Sequence, residues 1–274
     1  MVQSQREPVR SLGDVMRREG DRTVQCPEHG EYSARHVVGR IWTPCPVCAA
    51  ATEAQRAAEE AESRRRADAQ LAEEALQRRI AQSGLVGRFL SATFDNFAAV
   101  DPAQVRAATM CRDFAENVEG RTGGLWLIGP PGTGKTHLGS AMVNHVIRQK
   151  RWAAILSARE IVRMLRATWG NRHSRNNGHD APQTEAEVIQ DLGTCALLVL
   201  DEVGVSFGSE SETVQLFDVL DLRYKNQLPT VLLSNLPASE LKPVLGDRAY
   251  DRLREGAVMV PCNWASHRQS GSRS

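Results

Sequence analysis

The chain has 274 residues, enough for one large domain and a small accessory one. Its 34 lysines and arginines nearly balance 33 aspartates and glutamates, so binding to nucleic acid or a membrane surface would need a local patch rather than a global field. Six cysteines are too few for a disulfide scaffold, and no signal peptide is predicted. The longest apolar run, Cys195 to Leu200, is too short to cross a bilayer. We therefore expect a cytoplasmic protein without membrane contact.

Two pairs of metal-ligand residues occur near the N-terminus. The motifs C-P-E-H, from Cys26 to His29, and C-P-V-C, from Cys45 to Cys48, each place two ligands three positions apart, and fifteen residues separate them. This double spacing is typical of a structural zinc ribbon in which Cys26, His29, Cys45 and Cys48 hold Zn²⁺ in a closed, non-catalytic site. His36 is the rival fourth ligand.

Changes in composition divide the chain into five segments. These are 1–25, a flexible N-terminus; 26–48, the zinc-binding module; 49–84, a charged helical linker; 85–268, the main domain; and 269–274, a tail. The linker prediction follows from a run of Ala, Glu, Gln and Arg without Gly or Pro before its end. Within the module we expect a strand pair from Tyr32 and from Val37 to Trp42, too small to fold without metal.

The main domain contains the motif G-P-P-G-T-G-K-T at 129–136. The apolar run Leu125–Ile128 predicts a strand before it, and His137 to Val143 predicts a helix after it. Glycines let backbone N–H groups turn toward an anion, and a helix N-terminus adds its positive end. Lys135 would reach the β- and γ-phosphates, and the Thr136 hydroxyl would ligate Mg²⁺. The predicted nucleoside triphosphate site comprises Gly129, Pro130, Pro131, Gly132, Thr133, Gly134, Lys135, Thr136 and His137.

Two further apolar strands end in polar residues. One runs into Asp201 and Glu202, and another, beginning near Thr230, runs into Asn235. Ligands of parallel α/β sheets bind at the carboxyl ends of the strands, so we expect Asp201 to hold Mg²⁺ through water and Glu202 to orient or deprotonate the attacking water. Asn235 would hydrogen-bond the γ-phosphate or that water, with a simple turn role as the alternative.

Helical patterns lie between these strands. A capping box at Ser157 begins one helix, and another is expected over 209–226 with Val214, Phe217 and Leu220 facing inward. Alternating strands and helices predict an α/β domain.

The phosphate loop, a strand ending Asp-Glu, a strand ending Ser-Asn, an arginine pair after Leu-Gly-Asp and a final Asn-Trp-x-Ser-x-Arg together resemble the AAA+ ATPases of the DnaC helicase-loader type, with IstB-type transposition helpers as close kin. The resemblance covers residues 85–268. It implies a parallel AAA+ sheet flanked by helices, here joined to a zinc-ribbon-like domain by a helical linker. It also implies that Asn235 is sensor 1, that Arg252 is an arginine finger for a neighbouring subunit's ATP, with Arg248 as the alternate, and that Arg268 is sensor 2.

The function that this resemblance implies is ATP-dependent loading of a replicative helicase, a DnaB-like hexamer, onto single-stranded DNA. Arg166, Trp169 and Ser209 match positions where such loaders contact the strand, although a core position for Trp169 stays open. Finger and loop would meet only between subunits, which implies self-association. One alternative is a transposase helper that acts on duplex DNA, and a second is a nucleotide-gated adaptor with negligible turnover.

Overall fold

A computed structural model describes residues 21–37, 41–168, 183–204 and 210–267, without the side chains of 210–213. Three residues of the predicted sites, Trp169, Ser209 and Arg268, lie outside the described residues. The chain divides into two compact units, with the boundary between Ala72 and Glu73.

The first unit contains a two-stranded ribbon. Strand β1, Arg22–Cys26, pairs antiparallel with β2, Gly30–Ala34, and a single bridge joins His36 to Trp42. The expected strand at Tyr32 is present as part of β2, but the expected partner at 37–42 is wrong: β2 pairs with β1, because the C-P-E-H motif itself forms the hairpin turn. The ribbon also begins at Arg22, inside the segment expected to be flexible.

The predicted linker helix is present as α1, Pro46–Gln82, and starts earlier than expected because Pro46 suits the first helical position. None of its side chains is buried, and Glu60–Arg64 and Glu62–Arg66 form ion pairs one turn apart. Among the described residues, no helix has both the length and the apolar character of a membrane span.

The second unit is built on a five-stranded parallel sheet in the order β4-β5-β6-β3-β7. The strands are β3 Leu125–Ile128, β4 Ala153–Ser157, β5 Leu197–Val203, β6 Thr230–Ser234 and β7 Val258–Pro261. The helices are a 3-10 helix Gly87–Ser91, α2 Pro102–Glu116, α3 Lys135–Arg148, α4 Ala158–Ala167, α5 Glu185–Thr194, α6 Glu210–Lys225, α7 Ala238–Leu245 and α8 Asp247–Arg254.

Helices cover both faces of this sheet. Because side chains alternate along a strand, Leu125 and Leu127 belong to a core shared with α2 and α3, whereas Trp126 belongs to a core shared with α4 to α8. The Trp126 indole packs edge-on against Tyr250, at 5.5 Å between ring centroids, and donates to the Leu253 carbonyl at 3.2 Å. The α/β prediction with a phosphate-loop sheet between helices is confirmed.

Helix α6 corrects one detail of the predicted core. Val214 is 56% exposed, while Leu216, Val219 and Leu220 are buried and Phe217 is half-buried. Positions three and four apart share a helix face, and Val214 lies two residues before this stripe, on the opposite side.

Arg223 continues the buried stripe of α6. Its guanidinium donates to the carbonyl oxygens of Leu192 and Cys195, at 2.8 and 2.9 Å, and of Pro229 at 2.5 Å. Burial lowers the pKa of Arg223, a penalty that these bonds offset. The side chain thereby ties the end of α5 to the residue that precedes β6.

Candidate functional site

The loop 129–136 follows β3 and leads into a helix, as predicted, and its last two residues are the first two of α3. Gly132 and Gly134 have φ angles of 83° and 89°, in the left-handed region that favours glycine. Helix α3 begins at Lys135, so its first amide N–H groups have no acceptors within the helix and face the loop. The loop and the helix end together form a cradle for an anion.

Lys135 is buried inside this loop. Its Nζ donates to the carbonyl oxygens of Gly129, at 2.7 Å, and Pro130, at 2.8 Å. The Thr133 hydroxyl also donates to Pro130 O, at 3.0 Å. These bonds keep a positive charge within the cradle, where it can attract the phosphates of a nucleotide.

The predicted strand-end residues meet the loop in one cavity of about 350 Å³. Strand β6 lies between β3 and β5, so the residues at the carboxyl ends of these three parallel strands share one edge of the sheet. Asp201, Glu202 and Asn235 line the cavity together with Lys135 and Thr136. The structure therefore brings these residues together with 131–137 of the predicted loop, whereas Gly129 and Pro130 do not line the cavity.

Asp201 and Thr136 are the pair expected to hold Mg²⁺. Burial raises the pKa of Asp201, whereas the Glu202 backbone N–H, at 2.7 Å, and the Thr136 hydroxyl stabilise its carboxylate. A nearby cation would offset the cost of burying this charge. Carboxylate and hydroxyl oxygens are ligands of the kind that Mg²⁺ takes, so the two residues fit the ion.

Glu202 has an unusual backbone conformation. Its φ is 55°, and the pairing of β5 with β6 shifts register between Leu200 and Val203. A non-glycine residue held in this region stores on the order of 1–3 kcal/mol of strain, which persists where the surroundings enforce it and is frequent at functional sites. The irregularity leaves the exposed Glu202 lining the cavity rather than buried in the sheet.

Further residues that line the cavity were missed by sequence analysis. They are Arg88, Phe89, Asn96, Phe97, Ala98, Gln104, Leu233, Ser234, Trp264 and His267. His137, which was predicted, also lines it; its Nε2 lies 3.0 Å from Thr93 O and its ring 5.6 Å from that of Phe97. The aromatic residues that precede α2 could not be assigned to this cavity from the sequence, because aromatic residues are equally common in hydrophobic cores.

The predicted finger residues lie on α8, away from this cavity. Arg252 forms an ion pair with Asp221 and lies over the rings of Phe217 and Tyr224, at 4.8 and 5.0 Å from their centroids. Arg248, one turn earlier, is exposed. A residue that acts on a neighbour's nucleotide is expected to lie away from its own, and the finger role of either arginine stays a prediction.

The four predicted zinc ligands come together in the first unit. The ligand atoms of Cys26, His29, Cys45 and Cys48 all lie within 4.8 Å of one another. Tetrahedral zinc with bonds of about 2.3 Å would place its ligands about 3.8 Å apart, and the Cys26 Sγ–Cys48 Sγ distance is 3.6 Å. His36 instead packs against Trp42. The cluster fits a closed structural zinc site with His29 as the fourth ligand.

Two of these thiols differ in acidity. Hydrogen bonds with the backbone at Glu28 and the ring of His29 lower the pKa of Cys26 to about 6. The hydrogen bond with Cys26 raises the pKa of Cys48 to about 11. Zinc takes thiolates, so its binding would release the proton that the two sulfur atoms share.

Of the predicted DNA contacts, only Arg166 falls within the described residues. It is exposed in the last turn of α4, next to the segment that begins at 169. Its role stays a prediction, as do those of Trp169 and Ser209.

Comparison with known proteins finds related sequences and folds. The pattern of the family described as "IstB-like ATP binding protein" matches residues 48–274. The replicative helicase loader DnaC of Escherichia coli (strain K12) is 30% identical over 194 residues, which span 70% of this chain and 76% of that protein.

Two solved structures share the fold. The crystal structure of the DnaC helicase loader aligns with a TM-score of 0.54 at 21% identity, over 64% of this chain and 99% of that chain. AMPPCP-bound DnaA from Aquifex aeolicus aligns with a TM-score of 0.52 at 24% identity, over 62% of this chain and 49% of that chain. At these identities the structures support the architecture alone.

Proposed function

The chain is an AAA+ ATPase of the IstB-like ATP-binding protein family, and from this premise we propose that it is a loader that binds a replicative ring helicase and delivers it to single-stranded DNA. The observation that carries the proposal is the 30% identity with DnaC, which is named a replicative helicase loader, over 70% of this chain. The family pattern, which matches residues 48–274, includes every residue that lines the phosphate-binding cavity.

Hydrolysis would use residues that line this cavity. Lys135 would neutralise charge on the β- and γ-phosphates, and Asn235 would hold the γ-phosphate or the attacking water. Glu202 would orient or deprotonate that water. When bound at Thr136 and Asp201, Mg²⁺ would neutralise charge developing between the β- and γ-phosphates. Arg268 would act as sensor 2 of the same site.

Completion of the site would require a second subunit. A guanidinium supplied in trans stabilises charge on the transferred phosphoryl group, and Arg252 is proposed for that role, with Arg248 as the alternate. Asp221, Phe217 and Tyr224 hold Arg252 in its own chain, which supports it as a positioned side chain. The proposal therefore predicts ATP-dependent self-association.

The two binding activities of a loader, to the helicase and to single-stranded DNA, are assigned to different parts of the chain. The zinc module is proposed to dock the helicase, because Val37 and Ile41 in it are exposed apolar side chains. Arg166, Trp169 and Ser209 are proposed to bind single-stranded DNA by backbone neutralisation and base stacking.

A transposition helper is the alternative that the family description favours. Such a protein would bind and remodel duplex DNA, whereas a loader should prefer single strands. An adaptor with negligible turnover is a weaker alternative, because a pure switch does not need Glu202.

The helicase contact can be tested by capture. The zinc-loaded full chain, mixed with the purified replicative helicase of its own organism and ATP, should co-elute with it in size-exclusion chromatography. Cys45→Ser should abolish co-elution by removing a zinc ligand, whereas Glu31→Gln, exposed on β2, should not. Separate elution of the wild-type chain and helicase, with filaments on duplex DNA, would favour the transposition helper.

A further inference from the structure

The segment that follows β7, residues 262–267, crosses the phosphate loop and is called here the strap. Cys262 N donates to Ile128 O at 2.7 Å. This bond places the first residue of the strap beside the first residue of the loop. His267 N donates to Gly132 O at 2.9 Å, and the Trp264 indole Nε1–H donates to Thr133 O at 2.8 Å. The strap thus bonds two consecutive carbonyl groups of the loop.

Glycines of the loop make room for this crossing. A Cβ at Gly129 would lie 2.3 Å from Cys262 O, and one at Gly132 would lie 2.0 Å from Ser266 Oγ. Contacts this short do not occur, so a side chain at Gly129 would collide with the backbone of the strap, and one at Gly132 would force Ser266 to move. Glycines in a phosphate loop are usually explained by the close approach of the nucleotide. In this chain they also allow the close approach of the strap.

The strap also fixes the direction of loop amides. In a trans peptide the carbonyl of one residue and the N–H of the next point in opposite directions. No peptide bond of the described chain is cis. With Gly132 O and Thr133 O held by the strap, the N–H groups of Thr133 and Gly134 point away from it. Amides fixed in this way need no rearrangement when an anion arrives, which is the basis of preorganised binding.

We propose that Trp264 is a positioning residue of the ATP site: its indole N–H holds Thr133 O so that the Gly134 N–H faces the phosphates. The ring is half-buried against the core of α2 and α3, so the donor is rigidly placed. This inference concerns the ATP site alone and does not depend on the loader proposal. A failure to capture a helicase would leave it standing.

The test is Trp264→Phe, which keeps an aromatic ring and removes only the donor. A neutral hydrogen bond contributes enough that its loss should raise KM for ATP and Kd for ADP by about 3- to 10-fold. The change should appear in KM far more than in kcat, because Trp264 orients a binding amide, whereas the attacking water is assigned to Glu202 and Asn235. Steady-state ATPase kinetics and calorimetric titration with ADP measure the two constants.

A second tryptophan in the same unit is the matched control. Trp126 also donates its indole N–H to a carbonyl, that of Leu253, and it does not line the cavity. Trp126→Phe should lower the melting temperature and leave KM for ATP unchanged. The proposal is wrong if Trp264→Phe has the KM of the wild type, or if it lowers only kcat, as a smaller folded fraction would.

Discussion

Replacement of Glu202 by Gln should lower ATP turnover by about 100- to 10,000-fold, the range expected for loss of a general base. The amide is nearly the same size and cannot accept the proton of the attacking water. Since Lys135, Thr136 and the loop amides are intact, the affinity for ATP should stay within a few fold of the wild type. Phosphate release at saturating ATP and calorimetry with a non-hydrolysable analogue separate the two effects.

A control substitution distinguishes this role from a general effect of charge. Glu240 is exposed on α7 and does not line the cavity, so Glu240→Gln should hydrolyse ATP at the wild-type rate. If Glu202→Gln hydrolysed ATP as fast as Glu240→Gln, the proposed hydrolysis mechanism would be wrong and the adaptor alternative would gain support.

Loss of zinc should unfold the two-stranded ribbon of the first unit while sparing hydrolysis. Cys45→Ser removes one of four ligands, and a ribbon of two five-residue strands has too little core to fold without the metal. Hydrogen exchange should show lost protection over 22–34, with the melting temperature of the second unit and its ATPase rate retained. Metal analysis should find about one zinc per wild-type chain.

The free cysteine Cys111 offers a control in the second unit. It is buried against α3 and is not among the clustered ligands, so Cys111→Ala should keep its zinc. Freshly purified wild-type protein without stoichiometric zinc, or an unchanged exchange pattern in Cys45→Ser, would contradict the structural zinc site.

Motifs with a fixed local geometry could be predicted from the sequence. The loop 129–136 requires its glycines whatever surrounds it, and two ligands three positions apart can bind one ion within a single turn. Predicting that Asp201 and Asn235 lie near the loop required one further inference. Both residues follow apolar runs, and parallel strands present their carboxyl ends at one edge of the sheet. Both residues line the same cavity in the structure, and their roles stay predictions.

Contacts between distant residues could not be predicted in this way. Trp264 and Thr133 are 131 positions apart, and nothing in the motif around Trp264 indicates which carbonyl its indole reaches. Whether His29 or His36 is the fourth zinc ligand depends on the position of the hairpin turn, which the sequence did not indicate. The ion pair of Arg252 with Asp221 joins two helices whose packing is set by the whole second core.

The loader role is tested most directly by placing a helicase on DNA that has no ends. A ring helicase must open to encircle closed circular single-stranded DNA, so spontaneous threading is excluded. With the wild-type chain, ATP and Mg²⁺, the helicase should become bound to the circle and resist a salt wash, and Lys135→Ala should not support this. Equal retention of the helicase with and without the chain would contradict the account.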